Sequence, residues 1–322
     1  MTLNSYKRVL ASVGQFCANN DIQKNCSICV DLIKRAASIG SQILFLPEAS
    51  DYLPVNPAEG MRLAQRLDGE FVTKIREAVK ENNIWLSIGV HELDATVPTT
   101  SQGNPNEGGG EAEAEKSEGV RAYNSNILIN NEGQIVSVYR KLHLFDVEIP
   151  NGPRIFESDS MKPGSKIIKP TTETPVGSLG LAICYDLRFG ELAQTLRDMG
   201  ATAIAFPAAF TEKTGAAHWE ILVRARAIET QCFVFAAAQI GKHNQGAAQN
   251  HTRSGHTPAG SFGNAMIVDP WGTVLAKCSD FTTEPSLATA EIDMQRLEKI
   301  RTQMPVAKHR RRDIFSFVSF KE

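Results

Sequence analysis

The chain has 322 residues, of which 42% are hydrophobic and 22% are charged, with a formal net charge of -2. This composition is typical of a globular protein, and the balanced charge excludes a nucleic-acid footprint or an acidic tail. The first apolar run is too short and too interrupted for a signal segment or a membrane span, and the six cysteines lack the dense spacing of a secreted scaffold. We therefore expect a soluble cytoplasmic protein with free thiols.

The first third of the chain alternates between strand and helix patterns. Val9 to Phe16 predicts a strand, and apolar residues at helical spacing behind the capping residue Asp21 predict a helix. A buried strand at Ile43 to Leu46 follows, then a second helical stripe from Ala64 to Val79 and a strand from Ile84 to Val90. This order is typical of a layered α/β sheet.

Residues 94–119 interrupt this order with a composition that cannot bury enough apolar area to offset chain entropy. We expect a mobile surface insertion there, joining two strands. The next two strands, Asn124 to Ile129 and Ile135 to Tyr139, flank a turn and alternate like an antiparallel meander. We expect a second mobile loop at 241–260 and a charged tail at 305–322.

The second half of the chain continues with helix and strand patterns, and the whole chain, 1–322, is expected to form a single domain. The predicted elements are helices at Glu191–Met199, Ala216–Gln231 and Met294–Met304, and strands at Ala201–Phe206, Cys232–Gln239, Phe262–Asp269 and Thr273–Lys277.

Cys184 ends the apolar run that begins at Leu179, and a turn into a helix follows it. A free cysteine on an apolar strand is more often a small packing residue than a nucleophile. Here, however, the amide of Tyr185 could point at an oxyanion, and the start of a helix would favour a thiolate. The position is therefore a candidate nucleophile.

Two charged residues also lie at predicted strand ends. Glu48 follows the buried strand that ends at Leu46, at a position where α/β sheets place ligands, although a helix cap is the competing interpretation. Lys141 follows the strand that ends at Tyr139, where a lysine is ordinarily only a solvated strand end. Neither residue is decisive by itself.

Together, these three residues suit hydrolysis of a carbon–nitrogen bond. An amide needs a strong nucleophile, proton delivery to its nitrogen and donors for the developing oxyanion. Glu48 could take the proton of Cys184 and return it to the leaving group, while Lys141 could stabilise the thiolate and bind the tetrahedral oxygen.

Three motifs carry a resemblance to a known family: Leu46-Pro-Glu48-Ala, Arg140-Lys141-Leu-His-Leu-Phe-Asp146 and Ala182-Ile-Cys184-Tyr-Asp-Leu-Arg188-Phe. They resemble, in order, the signature blocks of the nitrilase superfamily. The resemblance covers nearly the whole chain and extends to Glu157-Ser158 and Asp269-Pro-Trp-Gly272.

The resemblance implies a triad in which Glu48 is the proton acceptor, Lys141 the oxyanion stabiliser and proton donor, and Cys184 the nucleophile. Glu157 matches a second glutamate that orients the lysine. The family works without a metal or an organic cofactor. Its fold is a four-layer α-β-β-α sandwich, and its subunits usually pair through helices into a homodimer.

Within the superfamily the chain looks most similar to deaminated-glutathione amidases and ω-amidases. We therefore expect hydrolysis of the primary amide of a small carboxylated 2-oxo compound, deaminated glutathione above all, with a thioester on Cys184 and release of ammonia. The predicted substrate-binding residues are Arg188, Thr211 and Tyr185, and the competing interpretation of Arg188 is a structural ion pair with Asp186.

Several alternatives remain at this point. The substrate could be 2-oxoglutaramate, a nitrile or an N-carbamoyl compound, and a non-catalytic interaction module with a residual triad is an alternative of another class. The chain has Gly190 where the family often has proline, and Ala265 where the family often has serine. Both differences could alter the pocket wall or the local helix start, so they affect the substrate assignment more than the reaction.

Two other groups have metal-like or redox-like spacing. Cys26 and Cys29 lie inside a helical stripe without a second ligand pair, so core packing is favoured. His243, His251 and His256 occur in a polar loop that supplies no fixed geometry for a metal. We predict no metal site in either group.

Overall fold

The computed structural model describes residues 9–94, 121–148, 154–245 and 260–315. Most of the expected loops at 94–119 and 241–260 and the end of the tail, 316–322, lie outside these residues. The helices of the described part are α1 (Ile22–Ser38), α2 (Pro57–Leu63), α3 (Glu70–Glu81), α4 (Gly190–Asp198), α5 (Glu212–Thr230), α6 (Met294–Gln303) and α7 (Val306–His309), with 3₁₀ helices at Glu157–Asp159 and Cys184–Arg188. Among them, none combines the length and apolar character that crossing a bilayer requires.

Most strands of the described part belong to two sheets. They are β1 (Val9–Phe16), β2 (Ile43–Phe45), β3 (Trp85–Leu93), β4 (Ala122–Ile129), β5 (Ile135–Arg140), β6 (Asp146–Glu148), β7 (Arg154–Phe156), β8 (Met161–Lys162), β9 (Thr171–Thr174), β10 (Gly177–Leu181), β11 (Ala203–Ala205), β12 (Phe233–Ala236), β13 (Ala238–Gly241), β14 (Ser261–Phe262), β15 (Met266–Val268), β16 (Val274–Lys277) and β17 (Ser286–Ile292).

The first sheet has the order β14-β13-β1-β2-β3-β4-β5, with β17 also paired to β1 and β8 to β4. The second has the order β16-β15-β12-β11-β10-β9, while β6 and β7 form a separate hairpin. Strands β1, β2 and β3 run parallel, whereas β3, β4 and β5 are antiparallel. The predicted antiparallel meander is therefore confirmed.

The two sheets pack face to face, and helices cover their outer faces. Phe45 of β2 stacks on Phe235 of β12 with ring centroids 4.2 Å apart, so the two sheets share one apolar core. Leu44 and Leu46, the neighbours of Phe45 in the chain, belong instead to the core that this sheet shares with α1 and α3. Because strand side chains alternate between faces, one strand serves both cores. This is the predicted four-layer α-β-β-α sandwich.

Helix α1 begins where the sequence predicts. The carboxylate of Asp21 accepts hydrogen bonds from the N–H groups of Gln23 (3.0 Å) and Lys24 (3.1 Å), which satisfies donors that have no partner within the helix. Cys26 and Cys29 lie on the buried stripe of this helix, as the core-packing interpretation requires. Burying one such stripe side chain of leucine size contributes roughly 1.5–3 kcal/mol.

Three predicted elements differ from the structure. The strand predicted at Phe262–Asp269 is divided, because β14 belongs to the first sheet and β15 to the second. The stripe from Ala64 to Val79 is not one helix, because the chain turns extended at Ala64 and Gln65 bonds to β3 through Leu93 before α3 begins at Glu70. The strand predicted at Cys232–Gln239 is divided at Ala237: β12 pairs in the second sheet and β13 in the first. The chain thus passes between sheets where periodicity shows only one apolar run.

Candidate active site

Glu48 lies just past the carboxyl end of β2, where neighbouring strands hold its backbone. The N–H of Gly89 donates to the carbonyl of Pro47 (3.1 Å), and the side-chain amide of Gln239 donates to the carbonyl of Glu48 (3.0 Å). A Cβ on Gly89 would lie 2.6 Å from the Cα of Glu48, so only glycine permits this approach of β3. The first sheet therefore fixes the position of this carboxylate.

Lys141 follows β5 and is 2% exposed. Its Nζ lies 2.8 Å from Oε1 of Glu48 and 2.9 Å from Oε2 of Glu157. The side-chain amide of Asn124 donates to the same two carboxylates, at 2.7 Å and 2.9 Å. The N–H of Phe145 donates to Glu157 at 2.7 Å. Two carboxylates, one ammonium and one amide thus form a closed network.

The network is charged. Burial lowers the pKa of Lys141, but the charges of Glu157 and Glu48 outweigh it and hold that pKa well above its ordinary value. Burial raises the pKa of Glu157, and Lys141 more than offsets this, so the carboxyl pKa is below its ordinary value. An ammonium between two carboxylates is consequently the resting state of this cluster.

Cys184 comes from the second sheet, three residues after β10 ends, and begins a 3₁₀ helix. Its N–H donates to the carbonyl of Pro207 (2.8 Å), and its φ of 43° lies in the left-handed region, a conformation that costs a non-glycine residue about 1–3 kcal/mol. The carboxylate of Glu48 is close enough to raise the pKa of its thiol. The strained turn presents the sulfur to the carboxylate across the interface between the sheets.

The thiol of Cys184 is not a resting thiolate. Burial, and next the charge of Glu48, raises its pKa well above the ordinary value, and Lys141 offsets only part of this rise. Lys141 does favour the thiolate, as the sequence analysis expects, but burial and the charge of Glu48 outweigh it. The sulfur must lose its proton as it attacks, and the adjacent carboxylate of Glu48 can accept that proton.

Asp186 joins the turn of Cys184 to the segment of Lys141. Its carboxylate accepts from the N–H of Ile183 (2.9 Å), from the hydroxyl of Tyr139 (2.7 Å) and from Nδ1 of His143 (2.7 Å). The competing interpretation of an Asp186–Arg188 ion pair is wrong. Arg188 instead lies 3.2 Å from Nδ1 of His218.

A cavity of about 330 Å³ opens over these groups. Glu48, Lys141, Cys184 and Glu157 line it, and so do all three predicted substrate-binding residues, Tyr185, Arg188 and Thr211. Apolar side chains form much of the remaining wall, which is typical of a small-molecule site. Its apolar residues include Leu53, Pro54, Phe145, Ile155, Phe156 and Phe210.

The three substrate-binding candidates occupy different parts of this wall. The N–H of Tyr185 is in the first turn of a 3₁₀ helix, where amides have no partner within the helix and can donate to an oxyanion. The guanidinium of Arg188 lies over the rings of Tyr185 (5.8 Å) and Phe210 (5.4 Å). Thr211 precedes α5, and its hydroxyl lies 2.9 Å from that of Thr214.

Sequence reasoning missed several residues of this site. Asn124 and His91 are polar residues in strands with apolar inner faces, and this break in alternation was the available signal. Gln239 and Asp186 act through contacts between distant segments, which spacing does not reveal. Gly190 is the first residue of α4, a position that also suits proline, so its departure from the family pattern leaves the helix start intact.

The histidine group predicted to hold no metal is only partly described. His251 and His256 lie outside the described residues. Nδ1 of His243 lies 2.8 Å from the carbonyl of Ala18, and Nε2 lies 2.8 Å from the hydroxyl of Ser261. Within the described ranges, no group of three or more histidine, cysteine, aspartate or glutamate side chains is placed to hold a metal ion.

A thiol, an adjacent carboxylate base and a buried ammonium around one cavity define the chemistry of a hydrolase that uses a cysteine nucleophile. The family model described as carbon-nitrogen hydrolase matches residues 10–302. The chain belongs to this family of carbon–nitrogen hydrolases.

Several known proteins are similar over most of the chain. Deaminated glutathione amidase of Mus musculus is 40% identical over 97% of this chain and 86% of its own length. The probable hydrolase nit2 of Schizosaccharomyces pombe is 41% identical over 95% of this chain and 98% of its own. The crystal structure of the C. elegans NitFhit protein matches with a TM-score of 0.82 and 38% identity, covering 98% of this chain and 68% of that one.

Proposed function

We propose that the protein is an amidase that hydrolyses a small carboxylated 2-oxo amide, deaminated glutathione above all. The observation that carries this proposal is the position of Arg188 on the wall of the cavity that also contains Glu48, Lys141 and Cys184. A guanidinium suits the carboxylate of a 2-oxo acid. The names of the similar mammalian proteins support the same substrate.

The proposed reaction begins with transfer of the thiol proton of Cys184 to Glu48 while the sulfur attacks the amide carbon. The carbonyl electrons move to oxygen, and Lys141 and the N–H of Tyr185 stabilise the resulting charge. Collapse breaks the carbon–nitrogen bond, Glu48 gives its proton to the nitrogen, and an amine and a thioester result. Water then loses a proton to Glu48, attacks the thioester and releases the acid, and the thiol is restored.

The leaving group depends on the substrate. A primary amide such as 2-oxoglutaramate would release ammonia, as the sequence prediction states. Deaminated glutathione carries a secondary amide and would release cysteinylglycine instead. Both substrates would give 2-oxoglutarate. Measuring 2-oxoglutarate together with ammonia and free cysteinylglycine therefore separates the two.

A substrate panel tests the proposal. We expect deaminated glutathione to have the highest kcat/KM, followed by 2-oxoglutaramate, with a nitrile and an N-carbamoyl amino acid far behind. Arg188→Gln should raise KM for both 2-oxo acids by about 10-fold to 100-fold, because a hydrogen bond to a charged group is lost. Arg35→Gln, on the distant helix α1, is the matched control.

Preference for the nitrile or the N-carbamoyl compound would contradict the substrate assignment. An Arg188→Gln enzyme with the KM of the Arg35→Gln control would contradict the role of Arg188. If no member of the panel is hydrolysed, the alternative of a non-catalytic interaction module gains support.

We also propose that two copies pair through α5 into a homodimer. Ile221 is 69% exposed and Ile228 47%, two helical turns apart on one face, and the nearby Trp271 is 55% exposed. Apolar side chains left exposed together mark interaction surfaces. Light scattering should give a dimer mass for the wild type and for Ile39→Glu, a control at the end of α1, and a monomer mass for Ile221→Glu. A wild-type monomer would contradict the proposal.

Location in the cytoplasm is likewise our proposal. All six cysteines are free thiols in the structure, which suits a reducing compartment. Organisation of residues 1–322 as one domain stays a prediction.

A further inference from the structure

A second charged pair lies in the wall of the same cavity, outside the catalytic network. His91 of β3 and Asp51 are joined by a contact of 2.9 Å between Nδ1 and the carboxylate. The same carboxylate accepts the N–H of His91 (2.8 Å) and that of Tyr52 (2.9 Å), and the imidazole stacks on the ring of Tyr52 with centroids 4.2 Å apart. The imidazole is therefore held in one orientation.

The other nitrogen of this ring is available to a ligand. His91 is only 8% exposed, yet it lines the cavity that contains Glu48 and Cys184. Within the part of the chain that the structure describes, Nε2 of His91 has no hydrogen-bond partner. An imidazole nitrogen in a cavity wall that makes no bond within the protein can donate to an acceptor bound in that cavity.

The surroundings of His91 favour its protonated form. Burial lowers the pKa of His91, but the charge of Asp51, its hydrogen bond and the carboxylates of Glu48 and Glu157 outweigh it, so the pKa is raised. Both ring nitrogens of an imidazolium are donors. Since Nδ1 is committed to Asp51, Nε2 presents an N–H to the cavity.

The His91–Asp51 pair lies on the side of Glu48. Asp51 follows Glu48 by three residues, and Gly89, two residues before His91, packs directly against the backbone of Glu48. In amide hydrolysis the carboxylate that returns the proton faces the departing nitrogen. The substituent on the departing nitrogen therefore lies on the side of the cavity that Glu48 lines. Arg188, by contrast, follows a strand of the second sheet.

We propose that Nε2 of His91 binds a carboxylate on the amine half of the substrate, while Arg188 binds the carboxylate of the 2-oxo acyl half. This inference rests on the proposed amidase function and deepens it. It assigns the cavity to amides whose leaving group is an amino acid or a short peptide with a free carboxyl end. The cysteinylglycine half of deaminated glutathione has this chemistry, whereas 2-oxoglutaramate does not.

Two substitutions separate the pocket donor from the structural role of His91. The amide nitrogen of asparagine can replace Nδ1 and keep the contact with Asp51, but nothing remains at the position of Nε2. Glutamine reaches the position of Nε2 and can keep a donor there. Both variants, His91→Asn and His91→Gln, lose the imidazole, but only His91→Gln keeps a donor at the position of Nε2.

The experiment compares deaminated glutathione with its C-terminal amide, which lacks only the negative charge of the glycine carboxylate. We expect wild-type enzyme to prefer the acid in kcat/KM by roughly 10-fold to 100-fold. His91→Asn should reduce this ratio to about one, and His91→Gln should retain a ratio well above one. The ratio does not depend on the fraction of each preparation that is folded.

The inference is overturned if His91→Asn keeps the wild-type ratio, or if the wild type does not distinguish acid from amide. It is also overturned if His91→Asn impairs 2-oxoglutaramate as strongly as deaminated glutathione, because both share the acyl half. Failure of the proposed function has another signature: wild-type enzyme would then hydrolyse none of these 2-oxo amides.

Discussion

Cys184→Ala is expected to lower hydrolysis of deaminated glutathione by at least about 10⁴-fold, because removal of a catalytic nucleophile typically costs this much or more. No other side chain of the network can form the thioester, since its remaining members are an ammonium, an amide and carboxylates. The fold should persist. Alanine keeps the Cβ and hence the same left-handed strain at φ 43°, and only a sulfur atom is lost. Formation of 2-oxoglutarate and thermal unfolding measure the two effects.

Cys278→Ala is the matched control, because Cys278 is also a buried free thiol but lies outside the cavity. It should retain turnover. Iodoacetamide should label Cys184 in the wild type, faster as the pH rises toward the raised pKa of the thiol. Residual hydrolysis by the purified Cys184→Ala protein at more than a few per cent of the wild-type rate would refute the nucleophile assignment.

Lys141→Met is expected to abolish turnover and also to destabilise the protein. Methionine has a similar volume but no charge, so Glu48 and Glu157 would lie buried without their cation. Breaking a buried ion pair by removing one partner costs about 3–5 kcal/mol. The oxyanion would lose a donor at the same time, which by itself costs about 10²-fold to 10³-fold in kcat.

Lys141→Met should also reverse the pH dependence of the protein's stability. In the wild type the pKa of Glu157 is below its unfolded value, so its contribution to stability is present at neutral pH and is lost as the pH falls through that pKa. Without Lys141, the effect of burial is opposed only by the weaker hydrogen bonds from Phe145 and Asn124, and we expect it to raise the carboxyl pKa above the unfolded value. The variant should then lose stability as the pH rises from 5 to 8, which denaturant unfolding at several pH values would show.

Lys74→Met is the control for this experiment, because Lys74 contacts its partners Glu70 on α3 and Gln23 on α1 at the exposed surface. It should leave both turnover and the pH dependence nearly as in the wild type. Wild-type turnover in Lys141→Met, or stability that still falls toward low pH, would contradict the role given to Lys141.

The sequence predicted those features that a single segment determines. The cap at Asp21, the buried stripe of α1 and the β3-β4-β5 meander follow from local hydrogen bonds and side-chain periodicity, and they are confirmed. The motifs located Glu48, Lys141 and Cys184, and the structure places all three in one cavity. Their individual roles stay predictions.

What the sequence did not predict depends on contacts between segments. The passage of the chain between sheets at Ala237 looks like one continuous strand in the sequence, because both of its halves are apolar. Asn124 and His91 were missed because their partners, Glu48 and Asp51, are distant in the chain. The net rise in the pKa of Cys184 was not predicted, because burial of the thiol depends on the packing of distant segments.

Glu48 and Lys141 belong to one sheet and Cys184 to the other, with Phe45 and Phe235 stacked between them. The distance between sulfur and carboxylate therefore depends on the thickness of the hydrophobic core between the two sheets. Any substitution that changes the thickness of this core also changes the distance over which the proton must move from the thiol to the carboxylate. Selection for thermal robustness and selection for turnover therefore act on the same interior side chains, and neither property can drift independently of the other.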